Sequence, residues 1–297
     1  MPTVRVDDIE LHYVEAGVGA PLLLIHGLGG SHHDWEYQIG EFAQHFRVIA
    51  PDLRGFGDSP GGRRLISIPR FARDMLALLD ALGIERCLLV GHSMGGAIAQ
   101  QLTLDQPQRV RRLVVANSMP MFKPQTRRHF AEFAYRWVVM GLLGPARLAR
   151  IGAQRMYPGE DQAEQREKSA ARGARTSRYS YLSALAALGH WSVLERLDEL
   201  RLPVLIVGAE HDYYTREESV RFAHALPRGR LHIVAGAHHA LPSEMPGIFN
   251  RLALRFLLAR NPTGGMSGAA MRTRVPDEVT RDDSEPTPMP DEVAIRS

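Results

Sequence analysis

Apolar and polar residues alternate twice near the start of the chain. Val4 and Val6 form the first run, Ile9, Leu11 and Tyr13 the second, with Asp7-Asp8 between them. Period two interrupted by turn-forming residues predicts a half-exposed antiparallel hairpin over 4–14. The pattern then changes. Pro21–Ile25 carries Leu-Leu-Leu-Ile without a polar break, which suits a strand covered on both faces. Further buried strands are predicted at Arg47–Ala50, Cys87–Val90, Leu113–Ala116, Val204–Val207 and Leu231–Val234. Between them, helical spacing runs over Asp34–Phe46, Ile68–Leu82, Ala97–Leu104, Glu217–Leu226 and Met245–Leu258, with Gly83 and Pro107 as stops. Buried strands alternating with helices predict an α/β chain: a mostly parallel central sheet with helices on both faces.

Residues 118–200 break the alternation. Amphipathic pieces at Phe130–Met140, Ala146–Met156, Ala163–Arg172 and Tyr181–Leu188 come without a buried strand, which predicts a helical insertion. The expected organisation is a core of 1–117 and 201–261 interrupted by this insertion. From 262 to 297 the chain is rich in Gly, Pro, Ser, Thr and acidic residues, which predicts a disordered tail. Val275-Pro-Asp-Glu-Val279 is echoed there at Met289-Pro-Asp-Glu-Val293.

Composition narrows the picture only a little. The 297 residues are 44% hydrophobic and 23% charged, as in ordinary globular proteins. A net charge of +3 without a basic–aromatic stretch gives no reason to expect nucleic acid. The N-terminal residues lack a basic then apolar signal pattern, and no apolar run is long enough to span a membrane, so a cytoplasmic location is expected. The single Cys87 excludes an internal disulfide and is expected to be a buried, inert thiol. Charge is uneven, however: residues 121–180 hold 12 Lys/Arg against 5 Asp/Glu. That surplus would favour an anionic or polar substrate.

The candidate chemistry centres on Gly91-His-Ser-Met-Gly95, between a predicted strand and a predicted helix. A serine at such a sharp turn projects its hydroxyl from the sheet, and glycine on either side lets the backbone close up. The helix N-terminus behind it favours negative charge. Ser93 is therefore a candidate nucleophile, but it needs a base and a group to orient that base. In a parallel sheet these come from loops at the carboxyl ends of strands. Asp212 follows the strand Val204–Val207, and His239 follows Leu231–Val234. The order serine, acid, histidine belongs to one of the common serine hydrolase folds.

With these residues in place, the sequence resembles the α/β-hydrolase superfamily over nearly all of 3–260. The resemblance rests on His26-Gly27-x-Gly29, Pro51-Asp-x-Arg-Gly-x-Gly-x-Ser59, Gly91-His-Ser-Met-Gly-Gly96, Gly208-Ala-Glu-His-Asp212, and His239 with Glu244 and Pro246 downstream. It implies an α/β-hydrolase fold in which 118–200 is a helical cap over the active site. It implies Ser93, Asp212 and His239 as the catalytic set. It also implies an oxyanion hole from the backbone N–H groups of Leu28 and Met94, whose side chains would line the acyl pocket. The family usually has Gly-His where this chain has His238-His239. The spacing to Glu244 and Pro246 selects His239, with His238 a loop-packing residue. Asp212 is preferred to Glu210 because it ends the Gly-x-x-x-Asp motif. Some relatives take the acid from the preceding strand, but there this chain has Asn117-Ser118. Asp52, Arg54 and Asp58 are expected to brace their loop, and His92 to point away from the chemistry.

The function implied is hydrolysis of a carboxylic ester or lactone through an acyl-enzyme, as in small carboxylesterases and enol-lactone hydrolases, with no cofactor. His32-His33-Asp34 is a dense cluster without spaced ligands, so it is expected to face solvent and to hold no metal. Other readings stay open. Carbon–carbon hydrolases of ring-cleavage dienoates use the same triad, but relatives of that type carry Asn in place of His92 and Trp in place of Ala240. Perhydrolase or haloperoxidase activity could accompany the same site. A non-catalytic binding protein on this fold is the reading from another class.

Overall fold

A computed structural model describes residues 2–63 and 66–259. Eight strands form one sheet in the order β1-β2-β4-β3-β5-β6-β7-β8. They are β1 Thr3–Val6, β2 Ile9–Ala16, β3 Ala20–Ile25, β4 Phe46–Pro51, β5 Cys87–His92, β6 Val110–Ala116, β7 Val204–Ala209 and β8 Gly229–Val234. The first two make the expected hairpin, and β2 joins β4 antiparallel. All other pairings, from β4 to β8, are parallel. The α/β class and its mostly parallel sheet are as the apolar patterning predicts.

The continuous apolar runs are explained by two cores. In β3, Leu23 and Ile25 point into one core while Leu22 and Leu24 point into the other, and all four are fully buried. The same split divides Val114 and Ala116 of β6 from Leu113 and Val115. The first core is closed by α2 (Ile68–Ala81), α3 (Met94–Asp105) and α8 (Arg216–Ala225), through residues such as Phe71, Ile98 and Phe222. The second is closed by α1 (Glu36–Phe42), the short α9 (Leu241–Glu244) and α10 (Pro246–Leu257), through Phe42, Leu241, Phe249 and Phe256. Burying one Leu or Phe side chain contributes about 1.5–3 kcal/mol, so these two layers dominate the stability of the sheet. Cys87 is buried in the first core, and burial pushes its thiol up to about 12.

The helix predicted over Asp34–Phe46 is shorter than expected. His32–Trp35 is a single 3-10 turn, α1 ends at Phe42, and Phe46 already belongs to β4. Apolar spacing alone ran the helix into the strand because Phe42 and Phe46 sit four apart, yet each packs in the second core from a different element.

Between β6 and β7 lie α4 (Arg127–Val138), α5 (Gly144–Met156), α6 (Ala163–Ala174) and α7 (Arg178–Gly189), with a π turn at Val139–Leu143 joining the first two. The ends of this segment are tied together. Val193 N–H donates to Pro120 O, Phe122 N–H donates to Trp191 O, and the two rings pack at 6.1 Å. A small third core (Val139, Met140, Leu148, Tyr181, Leu185) holds the helices to each other. The tail expected over 262–297 lies outside the described residues. Among the described residues, no helix is long and apolar enough to cross a membrane.

Candidate active site

Ser93 stands between β5 and α3 with φ +54° and ψ −120°. A non-glycine residue in that region is strained and persists only where its surroundings over-determine it. They do so here through close backbone approach. A Cβ on Gly95 would lie 2.1 Å from Ile25 O, and one on Gly91 would lie 2.3 Å from Gly95 O. The Ser93 N–H donates to Ala116 O at 2.9 Å, which pins the turn to β6.

His239 bridges the other two groups. Its Nε2 lies 2.9 Å from Ser93 Oγ and its Nδ1 lies 2.6 Å from Asp212 Oδ1. With Nδ1–H donating to the carboxylate, Nε2 is left to accept from the serine hydroxyl. Asp212 also accepts from Asn117 Nδ2 at 2.7 Å and from the Tyr213 N–H at 2.6 Å. Burial works against its charge, but the facing His239 and these hydrogen bonds outweigh it. The Asp212 carboxyl is held below its ordinary range.

The loops that carry the acid and the histidine are laced together. Glu210 N–H donates to Val234 O, His211 N–H to Ala237 O, and Gly236 N–H to the Glu210 carboxylate at 2.7 Å. Glu210 is thus spent on the backbone and does not compete with Asp212. His238 turns away from Ser93. Its Nδ1 and its N–H both meet the Glu244 carboxylate, at 2.7 and 2.6 Å. It packs in the loop, as expected.

Leu28 and Met94 differ from expectation in one respect. Met94 is the first residue of α3, so its N–H has no partner within the helix. Leu28 lines the cavities at Ser93. The Met94 side chain, however, is buried in the first core and not in a pocket. A helix that starts at the elbow turns its first side chain back under the sheet.

The His32-His33-Asp34 cluster also corrects expectation, because its members diverge. His33 is exposed, while His32 is buried with Nδ1 at 2.9 Å from Asp52, on whose other oxygen His12 Nδ1 closes to 3.3 Å. Asp52 also accepts from the N–H groups of His32 and Asp58. Burial opposes its charge, but the His32 ring and these donors hold the carboxyl far below the ordinary range. Arg54 is bonded through both Nε and Nη2 to Asp74, and through Nη1 to Asp8. Both motif residues brace the loop, but through separate partners. Asp34 turns to the cavity beside Ser93, where burial raises its carboxyl to about 7.

Some residues at the site were missed or undervalued in the sequence. Asn117 looked like a missing carboxylate; its left-handed backbone (φ +48°) aims its amide at Asp212. His92 was expected to point away from the chemistry; it instead lines the smaller cavity at Ser93, and its Nε2–H donates to the His239 carbonyl at 2.8 Å. Burial pushes the His92 ring down to about 4, aided by the nearby His239, so it is a neutral prop at neutral pH. No local sequence signal marks either contact, since both partners are far away in the chain.

Two cavities of about 180 and 970 Å³ open at Ser93. Leu28, Ser93, Tyr213 and His239 border both from below, and Glu132, Tyr135, Arg136 and Arg155 from α4 and α5 above.

A nucleophile elbow, a histidine between serine and carboxylate, and a sheet of this order define one class. Residues 20–245 match the family model described as the alpha/beta hydrolase fold, and the chain belongs to that family. It is 31% identical over 262 residues to the protein named carbamate hydrolase RutD of Azorhizobium caulinodans, a match covering 86% of this chain and 98% of that one. Among solved structures, the enol-lactonase of Burkholderia xenovorans LB400 superposes with a TM-score of 0.79 at 24% identity, covering 87% of this chain and 100% of the other. Est816, described as an N-acyl homoserine lactone degrading enzyme, superposes at 0.74 with 28% identity over 86% of this chain and 100% of the other. The chain is a hydrolase of the α/β fold, similar to proteins named for carbamate hydrolysis and for N-acyl homoserine lactone degradation.

Proposed function

We propose that the protein hydrolyses a carboxylic ester or lactone through an acyl-enzyme, with Ser93 as nucleophile, His239 as general base and acid, and Asp212 orienting His239. The observation that carries this reading is His239 itself, within hydrogen-bond reach of both Ser93 Oγ and Asp212 Oδ1. Ser93 Oγ attacks the carbonyl carbon as its proton passes to His239 Nε2. The carbonyl oxygen becomes an oxyanion against the N–H groups of Leu28 and Met94. One such donor typically contributes about 10²–10³ in rate. Collapse expels the alcohol oxygen, which takes the proton back from His239. Water then repeats the sequence on the acyl group and frees the acid. Residues 118–200 act as a cap that closes the site from above. Neutral His92 positions His239, and Asn117 positions Asp212.

A second reading, carbamate hydrolysis, is favoured by the near-complete length over which the RutD relative matches. It uses the same attack on a carbonyl and differs in the leaving or acyl nitrogen. A panel of methyl and p-nitrophenyl esters, lactones and simple carbamates ranked by kcat/KM separates the two. A fluorophosphonate should label Ser93, and Ser93→Ala should lose labelling together with at least about 10⁴-fold in kcat. Full activity in Ser93→Ala would falsify the mechanism.

A further inference from the structure

The cavity above Ser93 has a cationic ceiling with donors to spare. Arg136 uses Nε on Glu132, at 2.8 Å, and Nη1 on the Tyr181 hydroxyl, at 3.2 Å. Its guanidinium lies over the Tyr213 ring at 5.1 Å, and Tyr213 packs against His239 at 4.5 Å. Arginine has five N–H donors in a planar fork, and Nη2 has no hydrogen-bond partner among the described residues. Arg136 and Arg155 share a single carboxylate, Glu132, whose second oxygen accepts from Arg155 Nη1 at 3.2 Å. Two guanidinium groups to one carboxylate leaves this corner one anion short. No other acid on the smaller cavity's wall makes up the difference. Glu36 is bound by Arg172, and the burial of Asp34 disfavours its charge.

We propose that Arg136, supported by Arg155, is an anchor for a carboxylate on the substrate, so that the preferred substrate is the half-ester of a short dicarboxylic acid or a carboxylate-bearing lactone. This rests on the ester-hydrolase reading above and names its substrate class. The short ring-to-ring path from Arg136 through Tyr213 to His239 sets the scale: the carboxylate stands only a few atoms from the carbonyl that Ser93 attacks. A free Nη2 edge facing an open cavity suits a planar anion, and a charge-assisted hydrogen bond in such a place is strong enough to dominate selection between otherwise equal esters.

The test compares monomethyl glutarate with dimethyl glutarate, with fluorophosphonate labelling in parallel. Wild-type protein should favour the half-ester by at least about tenfold in kcat/KM, the lower end of what a charged hydrogen bond contributes. Arg136→Gln should bring the ratio close to one, chiefly through KM of the half-ester. Glu132→Gln should push the ratio the other way, because it removes the competing carboxylate; a merely structural role for the pair would not produce opposite shifts. Equal use of both esters by a wild-type protein that labels at Ser93 overturns the anchor and spares the ester-hydrolase reading. A wild-type protein that neither labels nor cleaves either ester overturns that reading, and the anchor falls with it.

Discussion

The floor and the ceiling of the site are built by different physics. Below, Ser93, Asp212 and His239 stand at the ends of strands whose side chains are buried on both faces, and glycines allow contacts that any Cβ would block. Above, α4 and α6 bury no residue fully; α4, α5 and α7 are joined by a small core and by ion pairs such as Arg155–Glu132, and α6 is tied to α1 by Arg172–Glu36. The floor tolerates almost no change in shape. The ceiling can exchange side chains at small cost; under the proposed function, chemistry belongs to the first and selection to the second.

The sharpest way to break this contrast is Asp212→Asn. The geometry would survive, but the His239 tautomer would not be held, and kcat should fall by about 10⁴-fold; steady-state kinetics on the preferred ester reads this directly. Gly95→Ala should come next. Its Cβ would meet Ile25 O, a backbone atom that cannot swing aside, and urea unfolding should show a loss of at least about 3 kcal/mol.

At the seam between floor and ceiling, Asp34 gives a pH-dependent effect. Its carboxyl titrates near 7 in the folded chain, against about 3.9 when unfolded. Between those values the unfolded chain releases a proton that the folded chain keeps. The wild type therefore loses stability as pH rises through that window. Asp34→Asn should show no advantage below about pH 4 and one of about 4 kcal/mol at pH 8, measured as unfolding free energy across the range. The smallest effect belongs to the ceiling's rim. Arg172→Gln removes a half-exposed pair with Glu36 and should change stability by no more than about 1 kcal/mol, and less in high salt.

The same contrast governs what could be read in the sequence. The buried strands were legible because burial on both faces leaves an uninterrupted apolar run, as at Leu22–Ile25. The elbow was legible because its glycines are demanded by backbone contact. The order of Asp212 and His239 after later strands was legible because parallel topology brings those strand ends together. His92 and Asn117 were not, because their contacts cross 147 and 95 residues of sequence and leave no local pattern. Arg136 was hidden for another reason. In the sequence it is one of twelve basic residues between 121 and 180, and only the fold shows that it lines the cavity at Ser93 with Nη2 unbonded among the described residues. The divergence of His32, His33 and Asp34 was equally invisible, since a tight turn sends adjacent side chains in three directions.

The lacing between the acid loop and the histidine loop has a consequence for how this chain can be altered. Because Glu210, His211 and Gly236 tie 209–212 to 235–239, the two loops are matched in length as teeth on a gear are matched in pitch. Adding one residue to either would shift carboxylate and imidazole together away from a serine that belongs to another strand. Insertions meant to enlarge or retune the protein are therefore best placed outside both loops.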